Sequence, residues 1–374
     1  MYIYIWIYTT TFILCINGII TQKKTSYTLL TTFIMLITAL RFDTGFDYYW
    51  YWMVGDKSYS QTYHYKYMYD KIEIVFKKIY DISRYLDRPQ LFFIVTSFVT
   101  FLLIFKYIKS NSKLPYLSAS YFIFTTYYFR FSLFFIRQSL AIAIVTYFVY
   151  LILNKKKKAY FGVVLITTVC VHSSAIIALV FLLLDKKKLK IKNLLLVSVG
   201  GIFMKKLIPL LLLRLPLLNK YLYLFNKESG SLLGNRALLF MFILVILIMI
   251  YEKKYIGKFT KDYILFRNIY TIGVFIYLVL KISFGGHTAY RVAWYFLIHS
   301  VVLLSYMCFS LKNKKITQII LILLLFIKAN FEILKETTKN EDRVKKEGNI
   351  YRRDDLYYFW INKKEFHLKQ LPGV

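Results

Sequence analysis

Apolar residues in this chain come in runs, and short knots of lysine separate the runs. The runs lie at about 2–20, 27–40, 91–108, 114–129, 133–153, 159–184, 193–213, 237–251, 263–282, 291–310 and 316–327. They do not break into the periodic, core-sized patches of a soluble domain. A straight bilayer crossing takes roughly 20 apolar residues, within a range of about 17–25. Several runs are shorter, so their spans must draw on flanking aromatics or thin the bilayer locally. The pattern predicts an all-α polytopic membrane protein with about 10–12 transmembrane helices. Met1 to Tyr8 carries no positive charge and lacks the n-region of a cleaved signal peptide. It reads as a retained first span.

The lysine knots set the orientation. They are Lys23 and Lys24; Lys106, Lys109 and Lys113; Lys155 to Lys158; Lys186 to Lys188 with Lys190 and Lys192; Lys253, Lys254, Lys258 and Lys261; and Lys312, Lys314 and Lys315. The positive-inside rule places all six in the cytoplasm. Alternation then puts Met1, 41–90, the turn near Arg130, 214–236 and 285–290 outside. One pair breaks alternation, because the knots at 155–158 and 186–192 flank a single run. A hairpin turning back near His172, Ser173 and Ser174 reconciles them. Each arm, of about 13 residues, would rise only ~20 Å at 1.5 Å per residue, short of a ~30 Å hydrocarbon core. A re-entrant hairpin or two short tilted helices is expected, with one long tilted span as the alternative. The membrane domain is thus 1–327. The tail, 328–374, is polar, with eleven basic and eight acidic residues; parity places it outside, and its role is open.

Composition changes this picture little. Of 374 residues 58% are hydrophobic, and the formal charge is +32. On a soluble chain that charge would suggest nucleic acid; distributed as knots between spans, it excludes a nucleic-acid binder or a soluble enzyme. The richness in Lys, Ile, Tyr, Phe and Asn is what an AT-rich genome would produce, so aromatic abundance alone says little. Cys15, Cys170 and Cys308 all lie within apolar runs and suggest neither a disulfide framework nor a metal site.

The acids and arginines are more informative. Asp43, Asp47, Asp56, Asp70, Glu73, Asp81 and Asp87 place seven of the 19 acids in 41–88, against eight basic residues there. That near balance fits an outer loop, and a general base is expected there or at a histidine. None of the six lysine knots contains arginine. Before the tail, Arg41, Arg84, Arg88, Arg130, Arg137, Arg214, Arg236 and Arg291 fall on the outer side; Arg267 is the exception. Lysine suffices to set topology, whereas arginine offers a planar fork that grips phosphate or carboxylate bidentately. Arg137 and Arg291 open apolar helices, where an unpaired cation is expensive. Snorkelling to headgroups explains any one arginine but explains eight poorly. An outward anionic, phosphate-bearing ligand is the sharper reading. The twelve aromatics of 42–69 fit stacking on sugar rings and, equally, an interfacial belt. Beyond them Ile72, Val75, Phe76, Ile79 and Leu86 keep helical spacing, which predicts an amphipathic helix on the outer surface.

No GxGxxG, Walker, HExxH or GxSxG pattern occurs, and the five histidines show no metal-ligand spacing. What occurs is an ordered series. Arg41-Phe-Asp43-Thr-Gly45-Phe-Asp47-Tyr-Tyr-Trp-Tyr51 follows the second span, Glu73 sits in the surface helix, and Arg137-Gln138-Ser-Leu-Ala141 opens the fifth run. His172-Ser173-Ser174-Ala175 marks the turn, and Tyr290-Arg291 follows Gly285-Gly286-His287. The series resembles the EpsG family of exopolysaccharide and O-antigen (Wzy-type) polymerases over roughly residues 1–327.

That resemblance implies a multi-pass protein of the cytoplasmic membrane that joins oligosaccharide repeat units carried on undecaprenyl pyrophosphate at its outer face. The growing chain would move from its carrier to the non-reducing end of an incoming unit. Membrane lipids, a chain-length regulator and a flippase are the expected partners; no cofactor or metal is expected. Arg137 and Arg291 are the candidates for pyrophosphate, with Arg41, Arg130 and Arg236 in support. Asp47 leads as the base, followed by Glu73 and His172. Plainer readings pair Asp47 with Arg41, pair Glu73 with Lys77 four residues on, and give His172 a substrate-orienting role. Two alternatives share the topology: an O-antigen ligase or polyprenyl-phosphate-sugar glycosyltransferase, and a lipid-linked oligosaccharide flippase. The latter should carry midplane charges and internal repeats, which are not seen.

Overall fold

The computed structural model describes residues 2–42, 48–57, 66, 69–184, 188–189, 236–255, 259–284, 286–347 and 358–359, with the backbone alone described at 2, 24, 42, 49, 236–238, 282–284, 286–288, 336–347 and 358–359. The run at 193–213, the second outer loop up to 235, most of the tail, and Asp47 fall outside that set.

The first two runs form α1 (Tyr2–Thr21) and α2 (Lys24–Ala39). Gln22 turns the chain between them in the left-handed region, at φ 53°. Arg41–Phe42 makes a two-residue antiparallel pairing with Tyr358–Phe359. Next come α3 (Tyr48–Gly55), α4 (Ile74–Tyr85) and α5 (Gln90–Asn111). The 114–129 run begins α6 (Pro115–Phe124), with proline in the first turn where its missing N–H is harmless. The chain continues through α7 (Phe129–Phe134), α8 (Ile136–Tyr147), α9 (Tyr150–Leu153) and α10 (Lys157–Cys170) to a 3-10 arm, Ser173–Leu183. The last helices are α11 (Arg236–Lys254), α12 (Lys261–Phe284), α13 (Gly286–Leu297), α14 (Ser300–Phe309) and α15 (Lys314–Glu347).

Among the described residues five stretches are long and apolar enough to cross alone: Ile3–Thr21, Gln90–Asn111, Ile136–Leu153, Lys261–Lys281 and Lys314–Lys335. Ala289–Leu297 with Ser300–Phe309, bent by 41°, makes a sixth. The chain is an all-α polytopic membrane protein, with several runs realised as broken or short helices. The amphipathic helix is α4, which buries Phe76, Tyr80 and Ser83. Tyr80 stacks on Phe92 of α5 with ring centroids 4.3 Å apart.

Breaks inside a membrane must be satisfied by protein, and here they are. The bend after α13 frees the Leu297 carbonyl, which accepts the Tyr128 hydroxyl at 2.7 Å. His299, at the bend, meets the Tyr107 hydroxyl at 2.6 Å. Gly273 of α12 lies against the Phe296 side chain so closely that a Cβ would overlap it, which lets α12 run alongside α13.

The 159–184 run is a hairpin. Lys157 at the foot of α10 donates through Nζ to the Leu182 carbonyl at the foot of the 3-10 arm, 2.8 Å away. Tyr160 and Phe181 stack between the arms. At 14 and 11 residues, the arms rise about 21 and 22 Å, so neither crosses. Arg267 anchors the far foot, which explains its exceptional position. Its Nε lies 3.1 Å from Glu252 and its Nη1 donates to the Leu189 carbonyl at 2.7 Å, while Lys188 pairs with Glu252 at 2.9 Å.

Lysine knots collect at one end of the bundle, where Tyr116 bonds the Lys23 carbonyl, Lys109 covers Tyr27 and Lys113 covers Tyr306. Helix α15 starts there at Lys314. At Glu332, about 27 Å further on, it accepts the Thr126 hydroxyl of the α6–α7 turn at the opposite end.

Candidate functional site

At the end away from the lysine knots, α4, α8, α13 and the hairpin turn meet. Arg137 begins α8. Its Nη1 pairs with Glu73 Oε2 at 2.8 Å and its Nε donates to the Tyr51 hydroxyl at 3.0 Å. Glu73 is the N-cap residue of α4, so this ion pair fastens the surface helix to the bundle. Lys77 instead reaches the Asp70 carbonyl, and the plainer i,i+4 pairing for Glu73 is not made. The side chains of Arg137 and Glu73 keep 25% and 19% of their surface, enough for a ligand to reach them.

The next residue faces the opposite wall. Gln138 donates through Nε2 to the Arg291 carbonyl at 2.6 Å and accepts Arg291 Nε at 3.0 Å. The guanidinium of Arg291 lies 4.7 Å from the Phe135 ring centroid. One hydrogen bond at Nε and a stacking face hold the guanidinium, while the second bond fixes the backbone of Arg291 to the same glutamine. Among the described residues no acid pairs with the guanidinium, which leaves its terminal nitrogens to donate outward.

His172 caps the 3-10 arm. Its Nδ1 accepts the Ser174 backbone N–H at 3.2 Å and lies 2.7 Å from Ser174 Oγ. A backbone N–H can only donate, so Nδ1 is the acceptor and the neutral ring carries its proton on Nε2. Ser174 Oγ is 2.9 Å from the Tyr295 hydroxyl, so the relay runs from Tyr295 through Ser174 to the imidazole. Burial, and then the nearby Arg137 and Arg291 guanidiniums, push the pKa of His172 below its ordinary value. The ring is a fixed, neutral Nε2–H donor, which fits orientation better than a base's role.

Glu73, His172, Arg137 and Arg291 thus come together. Arg41 and Arg130 do not join them. Arg41 is buried at the end of α2, where it donates to the Thr38 and Leu133 carbonyls and to Ser97, and its own carbonyl accepts Gln90. Its fork is occupied in tying α2 to α5 and α7. Arg130 is buried over the rings of Tyr4 and Phe134. Arg236 begins α11, its side chain lying outside the described set with Asp47. Tyr51 closes the Arg41–Tyr51 motif of the sequence, though no role was expected of it, and Tyr295 was not singled out; only its helical offset from Arg291, four residues on, hinted that both share a face. Among the described residues no three His, Cys, Asp or Glu side chains converge as a metal site.

Chemically, the arrangement offers an open guanidinium fork, a second guanidinium balanced by a carboxylate, and a neutral imidazole donor. Such a set suits a phosphate oxyanion. Searches of curated proteins and of solved structures gave no match. The EpsG family model matches residues 24–341, which takes in every member of the cluster and continues along α15 past 327. The chain belongs to the EpsG family and so, in general terms, to the exopolysaccharide-related membrane polymerases.

Proposed function

We propose that this protein joins oligosaccharide repeat units carried on undecaprenyl pyrophosphate, working at the outer face of the cytoplasmic membrane. The observation that carries the reading is the pair of guanidiniums at the end opposite the lysine knots, Arg137 on Glu73 and Arg291 held by the adjacent Gln138. In the reaction the acceptor hydroxyl oxygen bonds to the anomeric carbon of the growing chain as the bond from that carbon to pyrophosphate oxygen breaks. The hydroxyl proton passes to a carboxylate, and the polyprenyl pyrophosphate leaves with the bonding electrons. The leaving group is already activated, so charge stabilisation matters more than a strong acid. Arg291 receives the pyrophosphate, Arg137 adds charge, and His172 donates Nε2–H to an oxygen. Glu73 has Oε2 on Arg137 and Oε1 available for the proton, with Asp47 as the other carboxylate for that role.

The test is reconstitution of the full chain with lipid-linked repeat units, first alone and then with an added lipid acceptor that carries no polyprenyl pyrophosphate. A ladder of lengthening glycans is the expected result. Transfer only to an acceptor that lacks the polyprenyl pyrophosphate would mean a ligase, and movement of units across the bilayer without new linkages would mean a flippase.

A further inference from the structure

Directly beneath the charged cluster lies a groove of about 400 Å³ bounded by α4, α5, α8 and α10, within the ~300–1,000 Å³ typical of ligand sites. It contains no charged residue. Its two threonines, Thr96 and Thr167, each donate to a carbonyl of their own helix, Phe92 and Val163, at 2.7 Å. They therefore show the groove their methyl groups, and water would find nothing there to bond. An open apolar groove at membrane depth holds a hydrocarbon chain rather than water.

Its mouth decides which chain. Val75 follows Glu73 by two residues, Leu140 lies one helical turn along α8 from Arg137, and Val171 precedes His172, and all three line the groove. A chain lying in it delivers its head to the guanidinium cluster. We infer that the groove is the binding site for the isoprenoid chain of a polyprenyl diphosphate, whose diphosphate is held by Arg137 and Arg291. Charge complementarity selects this occupant over a zwitterionic phospholipid, and the Glu73–Arg137 ion pair holds α4 across the chain as one wall.

The inference rests on the proposed function and can be tested separately from it. The full chain in nanodiscs is titrated with undecaprenyl diphosphate and with geranyl diphosphate. It is also photolabelled with a diazirine-bearing polyprenol that has no phosphate. Compared at equal mole fraction in the nanodisc, so that partitioning from water drops out, wild type should prefer the long diphosphate by about tenfold or more, since van der Waals contact in the groove and not transfer from water sets the difference. Ile144→Trp from α8 and, as a second plug, Val99→Trp from α5, both on the groove wall, should erase that preference, leaving the long diphosphate with the affinity of the short one. Labels should map to α5, α8 and α10. Retained chain-length preference in both plugged variants, with the protein monodisperse, overturns the groove. So does labelling confined to other helices, or equal labelling by a diazirine phosphatidylcholine. Groove labelling by the polyprenol without affinity for either diphosphate would keep the chain site and remove the pyrophosphate reading instead.

Discussion

At the residue scale, the site depends on how two neighbours divide their work. Arg137 addresses α4 and Gln138 addresses α13, so a single helix start sets both walls. Arg291→Lys keeps the charge but loses both the Nε bond to Gln138 and the stacked fork. Polymer formation by this variant should fall roughly 10²-fold, read as turnover on lipid-linked units with the fold checked by size exclusion. Glu73→Gln should lose activity while Lys77→Gln does not, because the carboxylate serves Arg137 and not its helical neighbour. For His172 the folded state resists protonation, so as pH falls through the ordinary value of 6.5 the unfolded chain binds the proton first. That contribution lowers stability in acid and is absent at neutral pH. His172→Gln, which keeps a donor near Nε2, should retain more activity than His172→Ala and should flatten the acid side of the melting profile. Legibility at this scale was mixed. Arg137, Arg291, Glu73 and His172 stood out because charge and imidazole are rare near apolar runs. Arg41 stood out for the same reason, yet it caps backbone carbonyls; only the packing distinguishes a fork that faces protein from one that faces a cleft.

At the element scale, what the runs foretold was that the apolar segments are helical and belong to a membrane, and what they hid was where those segments break. Hydropathy averages over a window and cannot see that Tyr128 satisfies the carbonyl freed at Leu297. Tyr128→Phe should therefore lower stability by about 1 kcal/mol, measured by thermal unfolding in detergent, with little change in substrate affinity. Gly273→Leu should cost about 1–3 kcal/mol, since the added side chain meets Phe296 where α12 and α13 run together. The hairpin, in contrast, was legible from charge alone, because two lysine knots cannot lie on one side of a single crossing. Its anchor was not legible: Arg267 and Glu252 are fifteen residues apart on different helices.

At the scale of the whole molecule, charge type sorts along the bundle axis, with lysine knots at one end and the Arg137–Arg291 cluster at the other. Helix α15 connects the two, so the tail departs from the arginine end, on the side of α3 and α4. A cysteine replacing Lys335 should react with an impermeant maleimide from the same side as one replacing Lys57, and one replacing Lys253 should react only from the other side. Matching accessibility at 253 and 335 would contradict the placement of α15. The arms of the hairpin, at about 21 and 22 Å, also have a mechanical consequence. A typical hydrocarbon core is ~30 Å thick, so a tip tethered to the lysine end stops several ångströms below the far headgroups. Lipid must bow inward around it, and the polar substrate meets the protein in a dimple rather than on a plane. Such a dimple carries elastic strain that grows with acyl-chain length. Turnover in vesicles should accordingly decline as the bilayer is thickened, making membrane composition itself a control on how fast chains grow.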